Sequence, residues 1–140
     1  MYTSRPPRSL RVLVADDDEE MRAFVIAALH ADGCSTVEAH DGEELLDLLR
    51  NALDEVDLRP DVIVADVKMP GLSGLGVLAA LQRTRWDLPV VLITVLKDES
   101  IDAIARQLGA VGILHKPFDP DDLVTAVRNA TAIRALHASP

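Results

Sequence analysis

The sequence predicts an α/β domain built on a parallel sheet, and three observations support that fold class. Short, β-branched apolar runs without polar alternation recur along the chain, as expected for strands that are buried on both faces of a sheet. Segments with apolar residues at helical spacing separate these runs, so that strands and helices alternate. The 140 residues, of which 49% are hydrophobic, are enough for one domain with its own core.

Five strand signals, three strong and two weaker, divide the chain into five β-α units. The strong runs lie at 12–15, 62–65 and 90–93, and the weaker ones at 35–39 and 112–114. Because parallel strands are joined by right-handed crossovers, the helices are expected on both faces of the sheet.

Each predicted helix has its own start or stop signal. The first carries an apolar stripe and stops before Gly33; its stripe comprises Met21, Phe24, Val25, Ala28 and Leu29. The second begins after Asp41, which is followed by a glutamate three residues later. The third follows the turn at Gly74, and the fourth stops at Gly109. The fifth opens with Pro120 in its first turn, preceded by an aspartate cap.

Composition excludes several classes of protein. Asp and Glu total 23 against 14 Lys and Arg, a net charge of −9, so the broad basic surface of a nucleic-acid-binding protein is missing. No apolar run approaches the roughly 20 residues that span a membrane. The single cysteine, Cys34, excludes an internal disulfide and a cysteine-rich metal site. We therefore expect a cytoplasmic protein that binds neither nucleic acid directly nor a membrane.

The chain is expected to form one domain with short extensions. Residues 1–9 contain basic residues and two prolines, which predicts a flexible or polyproline-like lead. The domain itself is predicted to cover 10–136, followed by a tail at 137–140.

Chemically active residues follow four of the predicted strands. Asp16 and Asp17 follow the first, Asp66 ends the third, Thr94 ends the fourth and Lys116 follows the fifth. The carboxyl ends of parallel strands meet at one edge of the sheet, where such folds bind ligands. Crowded carboxylates repel one another unless a cation binds, and oxygen ligands favour Mg²⁺, with Mn²⁺ as the alternative. One carboxylate could then attack phosphorus, while the ammonium and the hydroxyl stabilise the phosphoryl charge.

Each of these residues alone also has an ordinary structural interpretation. Asp18 is as well explained by capping of the first helix, and a strand-end aspartate such as Asp66 is often a turn former. Lys116 alone would be a solvated lysine, and His115 is better explained as a satisfied strand-end histidine than as a metal ligand. The occurrence of all these groups at the strand ends favours a site.

The combination of motifs resembles a response-regulator receiver domain over nearly the whole chain. The matching features, in order, are Asp16-Asp17, Asp66 followed by Met69-Pro70-Gly71, Thr94, and Lys116-Pro117-Phe118. The resemblance implies a flavodoxin-like, doubly wound sheet of five parallel strands in the order 2-1-3-4-5, with five helices. It also implies a cis peptide bond before Pro117.

The resemblance further implies a function. Asp66 would accept a phosphoryl group from a histidine kinase or histidine phosphotransfer protein of a two-component or phosphorelay system. Asp17, Asp66 and the backbone carbonyl of Lys68 would bind Mg²⁺, with Asp16 acting through a metal-bound water. Thr94 and Lys116 would bind phosphoryl oxygens. Such a protein is a phosphoacceptor switch and not an enzyme that turns over a foreign substrate.

The sequence departs from the family pattern around the site. Ile113 stands where an aromatic switch residue is common, and Val95 is bulkier than the usual small residue after Thr94. Lys68 is a long cation two residues after the nucleophile. Because neither Lys68 nor Leu96 offers a carboxylate or amide to orient water, we expect slow loss of the phosphoryl group.

The output of the switch and two alternative functions stay open at this point. The family uses the face of helix 4, strand 5 and helix 5 for homodimers or for an output protein, here unknown; the candidate exposed residues are Asp102, Arg106, Arg128 and Arg134. The chain could equally be the N-terminal receiver fragment of a longer response regulator with an output domain. A scaffold that works without phosphorylation is a further alternative. An aspartyl phosphatase is disfavoured because Lys68 replaces its second carboxylate.

Overall fold

The computed structural model describes the backbone of residues 9–84 and 86–138, and side chains through residue 133. The predicted lead at 1–9 lies outside the described residues apart from Ser9, and so does the end of the predicted tail, 139–140. The last helix continues through Ala138.

Strands and helices alternate five times, as the sequence predicted. The elements are β1 (Arg11–Ala15), α1 (Glu19–Ala31), β2 (Ser35–Ala39), α2 (Gly42–Asp54), β3 (Val62–Asp66), α3 (Gly74–Thr84), β4 (Val90–Thr94), α4 (Glu99–Gln107), β5 (Gly112–His115) and α5 (Pro120–Ala138). A short 3₁₀ turn at Val56–Leu58, which the sequence did not predict, connects α2 to β3. All strand pairs are parallel, and the sheet order is β2-β1-β3-β4-β5, which confirms the doubly wound topology.

The sheet separates two aliphatic layers. Alternate strand residues point to opposite faces, so Val62 and Val64 pack toward α1 and α5, while Ile63 and Ala65 pack toward α2, α3 and α4. Every residue of β3 and β4 is buried, which accounts for their continuous apolar runs. Within the part of the chain that the structure describes, no helix is both long and apolar enough to cross a bilayer.

The buried face of α1 differs from the predicted stripe at one position. Val25 and Leu29 are buried as expected, but Phe24 is 37% exposed and makes an edge-to-face contact with Phe118. Arg22 is buried in addition to the apolar residues, with an exposed fraction of only 6%. The prediction that Phe24 belongs to the core stripe is therefore wrong, and a charged residue shares the buried face with Val25 and Leu29.

Two glycines allow close backbone contacts around the loop from β3 to α3. A Cβ atom on Gly74 would lie 2.6 Å from the backbone oxygen of Asp66. A Cβ atom on Gly42, the first residue of α2, would lie 2.2 Å from the backbone oxygen of Leu72. Only glycine lets α2 and α3 approach this loop so closely, and the loop begins directly after Asp66.

We expect Gly42→Ala to lower the free energy of unfolding by about 1–3 kcal/mol, because the added methyl group overlaps backbone atoms of Leu72 that cannot move independently. Urea unfolding measures the change. Gly76→Ala is the matched control: the nearest atoms to its Cβ would be side-chain atoms of Leu72 and Ser73 and not backbone atoms, and alanine is favoured over glycine within a helix. Equal losses in the two variants would contradict the close backbone contact.

Candidate functional site

Three carboxylates meet at the carboxyl-terminal edge of the sheet, as the sequence predicted. Asp16 follows β1, Asp66 ends β3, and these two strands are neighbours. One carboxylate oxygen from each of Asp16, Asp17 and Asp66 lies within 4.8 Å of the others. Asp16 is fully buried and Asp66 is 7% exposed, whereas Asp17 faces solvent. The cluster is therefore open on the side of Asp17.

Lys116 crosses the end of β4 to reach this cluster. Its Nζ lies 2.7 Å from Asp66 Oδ2 and 3.5 Å from Asp16 Oδ2. The peptide bond between Lys116 and Pro117 is cis, as the family resemblance implied. Burial alone would lower the pKa of Lys116, but the hydrogen bond to Asp66 and the charges of Asp16 and Asp66 outweigh it and raise the pKa above its ordinary value. The ammonium thus stays charged at neutral pH.

The two oxygens of Asp16 have unequal surroundings. Oδ1 accepts a hydrogen bond of 2.9 Å from the amide of Asp18, whereas the buried Oδ2 has no hydrogen-bond partner among the described residues. Burial raises the pKa of Asp16, although the Asp18 amide and the Lys116 charge act in the opposite direction. This buried oxygen has the Lys116 ammonium at 3.5 Å but accepts no hydrogen bond, so a cation would supply the missing interaction there.

The donor atoms fit a hard divalent cation. All candidate ligands are oxygens, which suits Mg²⁺ or Mn²⁺ better than zinc. The amide of Lys68 donates a 2.8 Å hydrogen bond to Asp66 Oδ1, which fixes the start of the next loop against the carboxylate. A pocket of about 470 Å³ opens beside the carboxylates; it is lined by Asp17, Val67, Lys68, Met69, Pro70 and Ser73. The site therefore has oxygen ligands for a divalent cation and a pocket that connects them with solvent.

Thr94 lies at the same edge, at the end of β4. Its side chain is 1% exposed, and its Oγ1 accepts a 3.0 Å hydrogen bond from the amide of Leu96. Its carbonyl accepts a 2.8 Å hydrogen bond from the amide of Lys116. Because Oγ1 already accepts from Leu96, the hydroxyl proton is free to be donated elsewhere.

The residues that depart from the family pattern surround Thr94. Val95 is 61% exposed beside it, at the rim of the site. Leu96 and Ile113 are half-buried and pack against the core layer under α2, α3 and α4. Ile113 lies opposite Leu92 in the register of β4 and β5. The Lys68 side chain is exposed, so its ammonium extends into solvent near the pocket.

His115 is an internally paired residue, which agrees with its interpretation as a satisfied strand-end histidine. Its Nε2 lies 3.2 Å from Asp102 Oδ2, so that β5 and α4 are joined by a side-chain contact. The same contact corrects the proposed output residues, because the Asp102 side chain is only 16% exposed.

Arg128 is exposed as predicted, but its side chain is engaged away from the output face. Its guanidinium lies 2.7 Å from Asp32 Oδ2 at the end of α1, so it joins α5 to α1 and does not face α4. Arg106 is exposed as predicted, and the Arg134 side chain lies outside the described residues. Of the four candidates, only Arg106 is observed as an unengaged exposed side chain in the part that the structure describes.

Arg22 is a residue of this region that the sequence analysis missed. Its Nη1 donates a 2.8 Å hydrogen bond to the carbonyl of Asp16, and its Nε donates a 3.0 Å hydrogen bond to Glu38 Oε1 on β2. A signal was present in the sequence, since Arg22 stands three and seven residues before Val25 and Leu29. A charged residue on the core face of a helix indicates a buried partner.

Comparison with known proteins identifies the family of this fold and site. The family model of the response regulator receiver domain matches residues 12–128. The response regulator MprA of Mycobacterium bovis is 38% identical over 120 residues, which are 86% of this chain and 50% of that protein. The transcriptional regulatory protein CpxR of Escherichia coli K12 is 34% identical over 118 residues, 84% of this chain and 47% of that protein. The chain thus spans about half the length of these relatives.

Solved structures agree with this family. The receiver domain of the Francisella response regulator 1452 superposes with a TM-score of 0.81 at 30% identity, covering 89% of this chain and 98% of that one. The chemotaxis protein CheY4 of Vibrio cholerae gives a TM-score of 0.76 at 28% identity, covering 88% of this chain and 99% of that one.

We expect Asp16→Asn to raise the free energy of unfolding at pH 7 by about 1 kcal/mol or more, because it removes a buried charge whose Oδ2 accepts no hydrogen bond among the described residues. The raised pKa means that the folded state holds this proton more tightly than the unfolded state. The cost of the charge is therefore full above the folded pKa and disappears as the pH falls below the ordinary value of 3.8.

Urea unfolding at several pH values measures this difference between variant and wild type, which should shrink toward acid pH. Asp18→Asn is the control, because asparagine caps a helix as well as aspartate does, and its effect should stay within about 0.5 kcal/mol. An Asp16→Asn variant that is less stable than the wild type at pH 7 would contradict the analysis.

Proposed function

Because the chain belongs to the response regulator receiver domain family, we propose that Asp66 accepts a phosphoryl group from the phosphohistidine of a histidine kinase or histidine phosphotransfer protein. The observation that carries the proposal is the environment of this carboxylate. One oxygen accepts a hydrogen bond from the Lys68 amide and the other from the Lys116 ammonium, beside Asp16 and Asp17.

A divalent cation completes the proposed site. We propose that Asp17, Asp66 and the backbone carbonyl of Lys68 hold Mg²⁺, or alternatively Mn²⁺, with Asp16 acting through a metal-bound water. The bound ion would offset the repulsion among the carboxylates and the charge of the incoming phosphoryl group. The buried Oδ2 of Asp16, which accepts no hydrogen bond among the described residues, supports this assignment.

The chain's own residues then have distinct roles in the transfer. An oxygen of Asp66 attacks phosphorus, and the bond from phosphorus to the imidazole nitrogen of the donor breaks. The Lys116 ammonium, already 2.7 Å from Asp66, is placed to pair with a phosphoryl oxygen once that carboxylate is esterified. Thr94 donates its free hydroxyl proton to a second phosphoryl oxygen.

Phosphorylation adds nearly two negative charges to this edge, and we propose that Thr94 carries the signal to the face of α4, β5 and α5. In the family, an aromatic residue at the position of Ile113 usually rotates when the threonine moves toward the phosphoryl group. Ile113 has no ring, so a change in the packing of its aliphatic side chain would take the place of that rotation. Two large apolar side chains near this face, Ile104 and Val111, are 46% and 36% exposed and suit contact with an output protein or with a second copy of the chain.

We propose a switch and not an enzyme that acts on foreign phosphate esters. An aspartyl phosphatase would need a second carboxylate at position 68 as general acid and base, and this chain has Lys68 there. A longer response regulator with an output domain is a further proposal, since this chain matches about half of its relatives. Phosphorylation-independent scaffolding is disfavoured by the complete set of site residues, and a cytoplasmic location stays a prediction.

Incubation with acetyl phosphate and Mg²⁺, followed by intact-mass measurement, should show one added phosphoryl group on the wild type. Asp66→Asn should gain none, because an amide cannot form the acyl phosphate. Asp87→Asn, which changes an exposed aspartate outside the site, is the matched control and should be modified like the wild type. Transfer from a phosphorylated kinase tests the same point with a specific donor. Modification of Asp66→Asn, or failure of the wild type with every kinase of the organism, would refute the proposal.

The phosphorylated protein should lose its phosphoryl group slowly, because neither Lys68 nor Leu96 orients an attacking water. Leu96→Gln adds an amide that can do so, and we expect it to speed the loss at least about tenfold. Leu96→Met, similar in size but apolar, is the control. Decay of radiolabelled protein in the absence of a donor measures all three rates. A wild type that decays as fast as chemotaxis-type receivers would show that the hypothesis is wrong.

A further inference from the structure

Arg22 is a buried cation next to a cluster of carboxylates, although its side chain contacts none of them. Its guanidinium spans from the carbonyl of Asp16 to Glu38 on β2. A buried arginine is costly unless it is paired and hydrogen-bonded. Glu38 alone does not account for the burial, since its side chain is 53% exposed and a surface ion pair would contribute little. Of the two hydrogen bonds that Arg22 donates, the one to the Asp16 carbonyl is buried.

Asp16 is fixed at three points, two on its backbone and one on its side chain. Its amide donates a 3.2 Å hydrogen bond to the carbonyl of Ala39, and its carbonyl accepts the 2.8 Å hydrogen bond from Arg22. Its carboxylate accepts from the amide of Asp18, which itself caps α1. The carbonyl bond matters most for the next residue, because it fixes the plane of the peptide between Asp16 and Asp17.

That peptide plane sets the direction of the Asp17 side chain. Asp17 is exposed, and its carboxylate has no hydrogen-bond partner within the described residues, so no side-chain contact holds it toward Asp16 and Asp66. We propose that Arg22 is a positioning residue for the divalent cation: by holding the Asp16 carbonyl, it keeps Asp17 aimed at the shared site. This inference rests on the proposed Mg²⁺ site, and it adds a residue that lies outside the ligand set.

Two physical effects of Arg22 act in opposite directions and can be separated. As a positioning group it strengthens cation binding, whereas as a nearby positive charge it opposes cation binding. Arg22→Lys keeps the charge but lacks the planar fork that reaches the Asp16 carbonyl and Glu38 together. Arg22→Met removes both the charge and the donors while retaining an extended apolar chain.

Mg²⁺ affinity can be measured without any phosphodonor, from the shifts of the Asp17, Asp18 and Lys68 amide signals in NMR spectra during addition of MgCl₂. We expect Arg22→Lys and Arg22→Met to weaken Mg²⁺ binding about tenfold, the loss typical when a group that orients a ligand is removed. Glu38→Gln is the matched control: it keeps an acceptor for Arg22, and its affinity should change by less than about threefold.

Two results would overturn the proposal. If Arg22→Met binds Mg²⁺ more tightly while Arg22→Lys matches the wild type, the charge alone matters. If both variants melt at lower temperature but bind Mg²⁺ with unchanged affinity, Arg22 stabilises the fold but does not position Asp17. Should Arg22→Met not fold, Arg22→Lys and Arg22→Gln decide by the same comparison of Mg²⁺ affinity.

The rate of phosphorylation adds a second readout. If positioning is the role of Arg22, Arg22→Lys should need about tenfold more Mg²⁺ for half-maximal modification by acetyl phosphate, with a maximal rate near that of the wild type. A wild type that binds Mg²⁺ but gains no phosphoryl group from acetyl phosphate or from any kinase would refute the proposed function and leave the role of Arg22 intact. Unchanged Mg²⁺ dependence in the variant would refute only the role of Arg22.

Discussion

The repulsion among three carboxylates at one edge of the sheet is the constraint on which the rest of this structure depends. The strand order places β1 beside β3, so the aspartates that follow or end these strands are brought together regardless of their mutual repulsion. Lys116 supplies one positive charge, which Asp66 engages directly and Asp16 at longer distance. One positive charge does not balance three negative charges, and the Oδ2 of Asp16, which accepts no hydrogen bond among the described residues, is where the imbalance is greatest.

The surroundings of the site hold this unfavourable arrangement in place. The fully buried strands β3 and β4 and the two aliphatic layers contribute stability that offsets the cost of burying Asp16. Backbone contacts fix the groups that carry the charge: the Asp18 amide holds Asp16, the Lys68 amide holds Asp66, and close packing at Gly74 fixes the loop that follows. A site arranged in this way is complementary to a cation and a phosphoryl group before either binds.

The departures from the family pattern lie between the site and the proposed output face. Val95 and Leu96 follow Thr94 directly, and Ile113 packs in the layer under α4. The contact of His115 with Asp102 joins β5 to α4 in the same region. The departures at these positions would alter how a shift of Thr94 is transmitted to the proposed output face. The charged site itself retains every group that the family resemblance implied. In the proposed function, Thr94 is the residue that connects the acceptor site with this output face.

The sequence by itself determined the alternation of strands and helices, the caps at Asp18 and Asp41, and the residues at each strand end, because these depend on local periodicity and on short-range hydrogen bonds. The order of the strands came from the family resemblance, since no local pattern encodes which strands are neighbours. Only the tertiary structure decided which charged groups pair. Arg22 is buried because the carbonyl of Asp16, just after β1, and a carboxylate of β2 converge on it, and Arg128 turns to Asp32, which lies 96 residues away in the chain. Such pairings depend on which elements the fold brings close together. Because those elements are far apart in sequence, no local pattern shows which charged groups are buried or paired.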